Sequence, residues 1–371
     1  MRILYMTRSD STHDQRFMTA LAESGHDGFV LRLRNGKFDT PRGVTPLQWQ
    51  GIDGPLQLRQ VSALRQQLRD ILKDLRPDLI HAGPIHDVAY LVARDRFVPL
   101  LTMSWGFDLM KDARSNLLNT QRTHYTLQHS QGLIVDCQSS AEVAKRFGFP
   151  GDKIFQFPWG VDLAHFSPQT AVVPGKQWRI AQGWADKTVL LCLRSWEKNY
   201  GVDVLARSFV RAAQADPNLR LILLGTGSQS ENIRGILRAG GVEQSVFFGG
   251  RVPNEQLITY YGAADVYITP SHVDGSSVSL MEAMACGLPT VASDIPANLE
   301  WIRQDENGWL FPDGNDRELA KILLGMPGRN LRSAGLTARQ DALAKADWDK
   351  NKQVLLESYE QTFASTKGRR E

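Results

Sequence analysis

Cysteine is scarce in this chain of 371 residues: Cys137, Cys192 and Cys286 are the whole complement. Odd in number, widely spaced and set in apolar runs, they argue against a disulfide framework or a thiolate metal site, and fit reduced core thiols in the cytoplasm. An excess of one charge is also missing. The 43 Lys and Arg stand against 40 Asp and Glu for a formal charge of +3, and the one basic block is the short tail from Lys367 to Arg370, so no nucleic-acid partner is expected. No apolar run is long enough to cross a bilayer, and the opening MRILYMT lacks a cleavable pattern, which leads to the expectation of a soluble or peripheral cytoplasmic protein. Internal repeats and low-complexity tracts are lacking too.

What is present is alternation. At this length two domains are expected, each able to bury a core. Strands are predicted at Ile3 to Thr7, Phe29 to Leu33, Leu79 to Ala82, Val98 to Met103, Gly132 to Val135 and Ile154 to Phe157. Between most of them, Phe17 to Ser24, Leu56 to Leu75, Asn116 to His129 and Ala141 to Phe147 carry apolar residues at helical spacing, which predicts an α/β unit with a parallel sheet. A proline-containing polar stretch to about Gln177 reads as a linker. The pattern then restarts, with strands at Thr188 to Leu193, Leu219 to Leu224, Val246 to Phe248, Val266 to Ile268 and Pro289 to Ala292 and a last helix from Trp348 to Thr362. Doubly wound units place ligands at the carboxyl ends of their strands.

The most informative segment is DGSSVSLMEAMACGLPTVASD, from Asp274 to Asp294. It sets two carboxylates, Asp274 and Glu282, eight residues apart around the small turn Gly275-Ser276-Ser277, just before an apolar run that reads as a helix. Free backbone N–H groups and a positive helix end converge on such a turn, including that of Val278, and suit a diphosphate. Glu282, one turn into the helix, can accept from ribose hydroxyls, and Asp274 at the lip can hold sugar hydroxyls. The plainer alternative is a loop-to-helix junction capped by Ser277.

The segment resembles the donor-binding signature of the retaining glycosyltransferases of family 4, group 1. That family usually has Glu, seven residues, Glu, then Ala-Met-Ala-x-Gly-x-Pro. Here Glu282 to Pro289 match, while Asp274 replaces the first Glu and reaches about one methylene less far. The resemblance implies the GT-B fold, two Rossmann-like doubly wound domains facing across a cleft. Their expected extents are 1–168, completed by a C-terminal helix over 348–365, on the acceptor side, and 178–347 on the nucleotide-sugar donor side.

Further motifs carry the same resemblance. LLCLRSWEKNYG matches a strand ending in Arg and then Lys-Gly, where both cations neutralise the donor diphosphate. Arg194 fits; Tyr200 stands at the usual lysine position, with Lys198 two residues earlier as a candidate substitute. Such fixed cations aimed at the departing phosphate are what a site without metal requires. Gly225 and Gly227 match the family's Gly-x-Gly turn near the nucleotide. Gly250-Arg251-Val252 match the region where the nucleobase lies, so the backbone of Arg251 and Val252 becomes a candidate reader of the base. No Asp-x-Asp pair lies in the signature region, where Asp265, Asp274 and Asp294 stand alone and His272 makes only a two-residue cluster, so no metal or other cofactor is expected.

The first half matches more loosely. After the first strand, the polar loop from Arg8 to Phe17 offers His13, Asp14 and Arg16 as acceptor-side candidates, with N-capping by Asp14 as the structural alternative. LIHAGPIHDVAYL places His81 at a strand end and His86 at a helix start, where they can orient an acceptor. Residues 101 to 108 resemble the family's strand ending in His-Gly-x-Asp. Trp105 replaces the histidine, its indole able to stack on a sugar face, and Asp108 matches, with core or capping roles as its alternative. Arg59, Arg65, Arg69, Lys73 and Arg76 line one predicted amphipathic helix, which can lie on an anionic membrane or simply present a solvated outer face.

The resemblance thus implies a metal-independent hexosyltransferase working with retention. It would move a sugar from a UDP- or GDP-sugar to a hydroxyl of a glycan, lipid-linked or small-molecule acceptor, in the cytoplasm or at the inner membrane face, in polysaccharide or glycolipid biosynthesis. Asp108, Asp274, Glu282, Arg194 and Lys198 are its catalytic candidates. Two alternatives stay open: a non-catalytic nucleotide-sugar-binding subunit and a nucleotide-sugar 2-epimerase.

Overall fold

Every strand pairing in the two sheets is parallel, and each sheet reverses its winding direction once. The structure is a computed structural model that describes residues 1–367. Beyond the backbone of Lys367, the basic tail noted in the sequence lies outside the described residues. The chain divides into two units, one formed by residues 1–159 with 349 onward, the other by 160–348.

In the first unit, β1 (Arg2–Thr7), β2 (Asp27–Arg32), β3 (Val44–Pro46), β4 (Leu79–Ala82), β5 (Leu100–Met103), β6 (Gly132–Val135) and β7 (Ile154–Gln156) form a sheet of order β3-β2-β1-β4-β5-β6-β7. β4, β5 and β6 are buried along their whole length, as strands covered by helices on both faces must be. The helix Leu58–Leu75 buries Val61, Leu64 and Leu68 and ends at Arg76 in the left-handed region (φ 49°). Two of its basic residues, Arg65 and Arg69, bond to the same oxygen of Asp95. The last helix, Trp348–Lys367, contributes its residues from 349 onward to this unit, with the buried Tyr359 hydroxyl 3.1 Å from His81 Nδ1.

In the second unit, β8 (Thr188–Cys192), β9 (Leu219–Leu224), β10 (Val246–Gly250), β11 (Val266–Thr269), β12 (Thr290–Ser293) and β13 (Gly308–Phe311) take the order β10-β9-β8-β11-β12-β13. The chain leaves β8 outward through β9 and β10 and returns to the other side at β11. Between β8 and β11, as between β1 and β4, the loops at the carboxyl ends diverge and leave the crevice in which doubly wound folds bind ligands.

Three short or disguised elements differ from expectation. The stretch read as a linker is the helix Pro168–Ala181, capped by Ser167 and carrying Pro174 in its interior. Tertiary contact outweighs the proline here: Gly175 has no room for a Cβ because the backbone of Gly262, in the helix Leu257–Ala263, lies against it. Trp178 lies edge-on to Phe247, with ring centroids 5.0 Å apart. The strands β3 and β13 were not expected, being three and four residues long. Among the described residues, no helix is long and apolar enough to cross a membrane.

Candidate functional site

In the second unit, Arg194 follows β8 and the segment Asp274–Ser277 follows β11, so the two sides of the reversal bring them together. Gly201 makes this approach feasible. It adopts φ +59°, and a Cβ there would collide with the Pro270 carbonyl oxygen. His272 N donates to Asn199 O (2.8 Å), fastening the two loops.

Arg194 is the centre of the constellation. Its Nη2 pairs with Asp274 Oδ2 at 2.5 Å, and its Nη1 donates to Ser277 Oγ (2.7 Å) and Ser279 Oγ (3.1 Å). The Tyr200 ring lies beneath it, 4.4 Å from Cζ. Its Nε is buried and donates to nothing among the described residues. Burial acts to lower the Arg194 pKa, but the Asp274 carboxylate together with Tyr267, Tyr200 and Cys192 outweighs it, and the guanidinium stays charged. Burial likewise raises Asp274, with Arg194 pulling the other way. Ser277 caps the helix Val278–Ala285, its Oγ accepting from Leu280 N. Arg194 and Asp274 are therefore tied to the turn that starts this helix, where Gly275 N also donates to Asp274 Oδ1 (3.1 Å). Lys198 stands apart: it is exposed, with no hydrogen bond or ion pair among the described residues.

The glycines support this arrangement from behind. Gly225 (φ +101°) and Gly227 lie against the backbone of Arg194 and Trp196 too closely for any side chain. Trp196 is buried and locks the junction, its N bonded to Thr226 O and its Nε1 to Leu224 O. Arg251 is exposed and donates to Thr226 Oγ1 (3.2 Å), while Val252 is half-buried. Glu282 is only 3% exposed. Its Oε2 accepts from the Tyr261 hydroxyl at 2.7 Å and its Oε1 from Asn254 Nδ2 at 3.4 Å. Gly275 and Ser276 are buried, the Ser276 hydroxyl accepting from Trp301 Nε1 (3.2 Å).

In the first unit, Asp108 is fully buried. One oxygen accepts from Ser104 Oγ and from the N–H groups of Trp105 and Leu109, the other from Ile85 N at 2.9 Å. It thus fixes the turns after β4 and β5 from beneath; burial raises its pKa, against the opposing influence of His86 and these bonds. His86 is 9% exposed, with Nε2 3.8 Å from Asp112. The rings of His13 and Trp105 meet edge to face at 5.9 Å. Asp14 and His81 are interior instead. Asp14 accepts from the hydroxyls of Tyr5 and Ser11, and His81 is enclosed by Tyr5, Phe17 and Tyr359, with burial lowering its pKa to about 3. Arg16 donates to Trp159 O at 3.3 Å.

Sequence reasoning did not anticipate Ser279, the Tyr200 ring beneath Arg194, or the Tyr261 and Asn254 partners of Glu282. Only Tyr200 had a signal, its place where the family has lysine. No group of three or more potential metal ligands occurs among the described residues. One Asp-x-Asp spacing does occur, outside the signature, at Asp347-Trp348-Asp349, where Asp349 pairs with Lys352 at 2.7 Å.

Comparison with known proteins accords with this geometry. A phosphatidyl-myo-inositol mannosyltransferase of Mycobacterium leprae is 30% identical over 220 residues, 58% of this chain and 55% of the relative, so the match spans about half of that protein. A putative colanic acid biosynthesis glycosyltransferase, WcaL, of Escherichia coli is 27% identical over 88% of this chain and 81% of its own length. Among solved structures, Anabaena Alr3699/HepE in complex with UDP superposes with a TM-score of 0.79 at 18% identity, over 97% of this chain and all of the other; the likeness is one of fold, which is GT-B. The model for glycosyl transferases group 1 matches residues 176–325 and that for glycosyl transferase 4-like proteins matches 2–138, and the chain belongs to this family of glycosyltransferases, group 1 of family 4.

Proposed function

We propose that this glycosyltransferase takes a hexosyl unit from a nucleoside diphosphate sugar, UDP- or GDP-linked, and transfers it to a hydroxyl with retention of anomeric configuration and without a metal. The observation that supports this reading best is Arg194: a largely buried, permanently charged guanidinium at the reversal of the second sheet, beside the capped start of Val278–Ala285, with a buried Nε–H that no group among the described residues accepts. A diphosphate oxygen placed there would accept that proton and draw on the N–H groups of Ser277 and Val278 at the helix start. Arg194 then stabilises the charge that develops as the nucleoside diphosphate leaves.

In this reading Glu282 accepts from the ribose hydroxyls while Tyr261 and Asn254 orient its carboxylate. Asp274 holds sugar hydroxyls once the diphosphate draws Arg194 away. The acceptor hydroxyl attacks on the face of the departing phosphate, and a phosphate oxygen takes its proton. Asp108 serves as a positioning residue for the loops after β4 and β5, and Lys198 and the backbone of Arg251 and Val252 remain peripheral donors. Contact of the helix Leu58–Leu75 with an anionic membrane is a lesser part of the proposal, since Arg65 and Arg69 already serve Asp95.

The test is donor hydrolysis and transfer with UDP-, GDP-, ADP- and dTDP-sugars, with and without EDTA, in wild type and Glu282→Ala. One nucleotide series should be consumed, insensitive to EDTA and dependent on Glu282, and NMR of the product should show the donor's anomeric configuration. Inversion, or consumption that EDTA abolishes, overturns the corresponding part of the proposal. A second reading, a subunit that binds the nucleotide sugar without transferring it, is favoured by the engagement of Asp274 with Arg194. It predicts selective binding with no turnover for any acceptor.

A further inference from the structure

The first unit carries a cavity that the reading above does not use. It measures about 450 Å³ and opens at the carboxyl ends of β2 and β3. Because all strands of this sheet are parallel, it lies on the same edge as the crevice between β1 and β4. Backbone bonds tie the two regions together: Leu33 N donates to Thr7 O and Arg34 N to Arg8 O, which extends the β1–β2 pairing past the strand ends.

The lining combines Arg32, Arg34 and Lys37 with the rings of Phe38 and Trp49, and includes no carboxylate among the described residues. Arg32 is built into the wall. It is 8% exposed, its Nη atoms donate to Thr40 Oγ1 (3.1 Å) and Asp39 O (2.8 Å), its guanidinium lies 5.2 Å from the Phe38 ring centre, and Asp10 stands 3.9 Å away. Its buried Nε has no acceptor among the described residues. The side chains of Arg34 and Lys37 make no ion pair or hydrogen bond there either, and Lys37 is exposed. Further along this edge, Arg8 is held through Nε by Asp87 at 2.7 Å, leaving its Nη atoms without a partner among the described residues. Cations in a protein of nearly balanced charge are ordinarily answered by acids, as Arg8 is by Asp87 and Arg32 in part by Asp10, whereas Arg34 and Lys37 have no acidic partner among the described residues. The volume lies within the range of ligand sites, about 300–1,000 Å³.

We propose that this cavity holds an anionic group of the acceptor, so that the acceptor is an acidic saccharide: a sugar bearing a carboxylate or a phosphate. The ring faces cover apolar sugar C–H surface, and Arg34 and Lys37 take the anion through charge-assisted hydrogen bonds. A purely aliphatic ligand would leave these cations desolvated without compensation, and a neutral sugar would leave them unanswered. The inference rests on the reading of the chain as a transferase to a hydroxyl acceptor, but its test does not depend on turnover.

The full-length chain and an Arg34→Gln/Lys37→Gln variant are titrated by calorimetry with four probes: a galacturonic acid tetramer, the same tetramer after reduction of its carboxylates, a hexose phosphate and inorganic phosphate. Thermal stabilisation by UDP and GDP, read on the same samples, reports the second-unit site and the integrity of the fold. The proposal expects the uronate or the hexose phosphate to bind about ten-fold or more tightly than the neutral tetramer and inorganic phosphate, and which of the two binds identifies the anion. The variant should lose about ten-fold of that affinity and keep its nucleotide stabilisation. Equal binding of acidic and neutral tetramers, inorganic phosphate binding as tightly as the sugars, or affinity unchanged in the variant overturns it. Failure of nucleotide stabilisation in wild type would count against the donor reading and leave the saccharide result to decide this one.

Discussion

Removing either member of the Arg194–Asp274 pair should have opposite consequences for nucleotide binding, although both changes destabilise the fold. At 2.5 Å and an effective dielectric of about 20, the gross attraction is roughly 6–7 kcal/mol, most of which the desolvation of both groups cancels. The side chains are 11% and 17% exposed, between a surface pair and a fully buried one. Arg194→Gln leaves a largely buried carboxylate without its cation and should cost about 2–3 kcal/mol. Asp274→Asn leaves Arg194 bonded to Ser277 and Ser279 over the Tyr200 ring, and should cost about 1–2 kcal/mol. In binding, Asp274 competes with a diphosphate for the same guanidinium. Arg194→Gln should therefore weaken the bound nucleoside diphosphate by about 2–3 kcal/mol, roughly 30- to 150-fold. Asp274→Asn should preserve or tighten that binding while slowing sugar transfer. Urea unfolding and calorimetric titration of both single variants and the double variant give the full cycle. Equal losses of nucleotide affinity in the two single variants would refute the competition, and undiminished affinity in Arg194→Gln would refute the role of Arg194.

Three further outcomes follow from the same structure. Buried His81 has a folded pKa near 3 against about 6.5 unfolded, so below pH 6.5 the unfolded chain binds a proton that the folded one refuses. Stability should fall with pH through that window, by about 2 kcal/mol between pH 6.5 and 5 from this residue alone; His81→Gln should lose that part of the slope in urea unfolding, and an unchanged slope would contradict the assignment. Gly175→Val forces a side chain into the Gly262 backbone and should destabilise the second unit by about 2–3 kcal/mol, where a linker position would tolerate it; a thermal melt decides. Tyr200→Leu should lose about 1 kcal/mol by removing the ring beneath Arg194, while Tyr200→Phe should keep it; equal melting temperatures for the two would exclude the ring contact.

The strands that the sequence displayed best are those such as β6 and β8, because their largely buried apolar runs, Leu133 to Val135 and Val189 to Leu193, are uninterrupted and end at Asp136 and Arg194. β3 and β13 were illegible because three or four residues carry no periodicity, and both sit at sheet edges where neighbours supply the register. The helix Pro168–Ala181 was concealed by its own prolines: local propensity pointed to a linker, and the evidence against it, the Gly175–Gly262 contact, exists only in three dimensions. The site was legible where spacing alone brings groups together, as in the Ser277 cap and the turn before it. It was not legible where a distant loop supplies the partner. Nothing within the segment from Asp274 to Asp294 announces that Asp274 turns to Arg194, or that Tyr261 and Asn254 hold Glu282. The interior positions of Asp14 and His81 were hidden for the same reason, since a polar residue at a strand end or helix start looks alike whether it faces ligand or core.

The central claim is that the nucleotide of the donor sits at the reversal of the second sheet, held by Arg194 and the turn before Val278–Ala285. Hydrogen–deuterium exchange of the wild-type chain, with and without saturating UDP or GDP, tests it most directly by location. Slowed exchange confined to residues 194–201 and 275–282 is the predicted result. Protection that spares both segments, or that falls instead on the loops after β1 and β4, would contradict it.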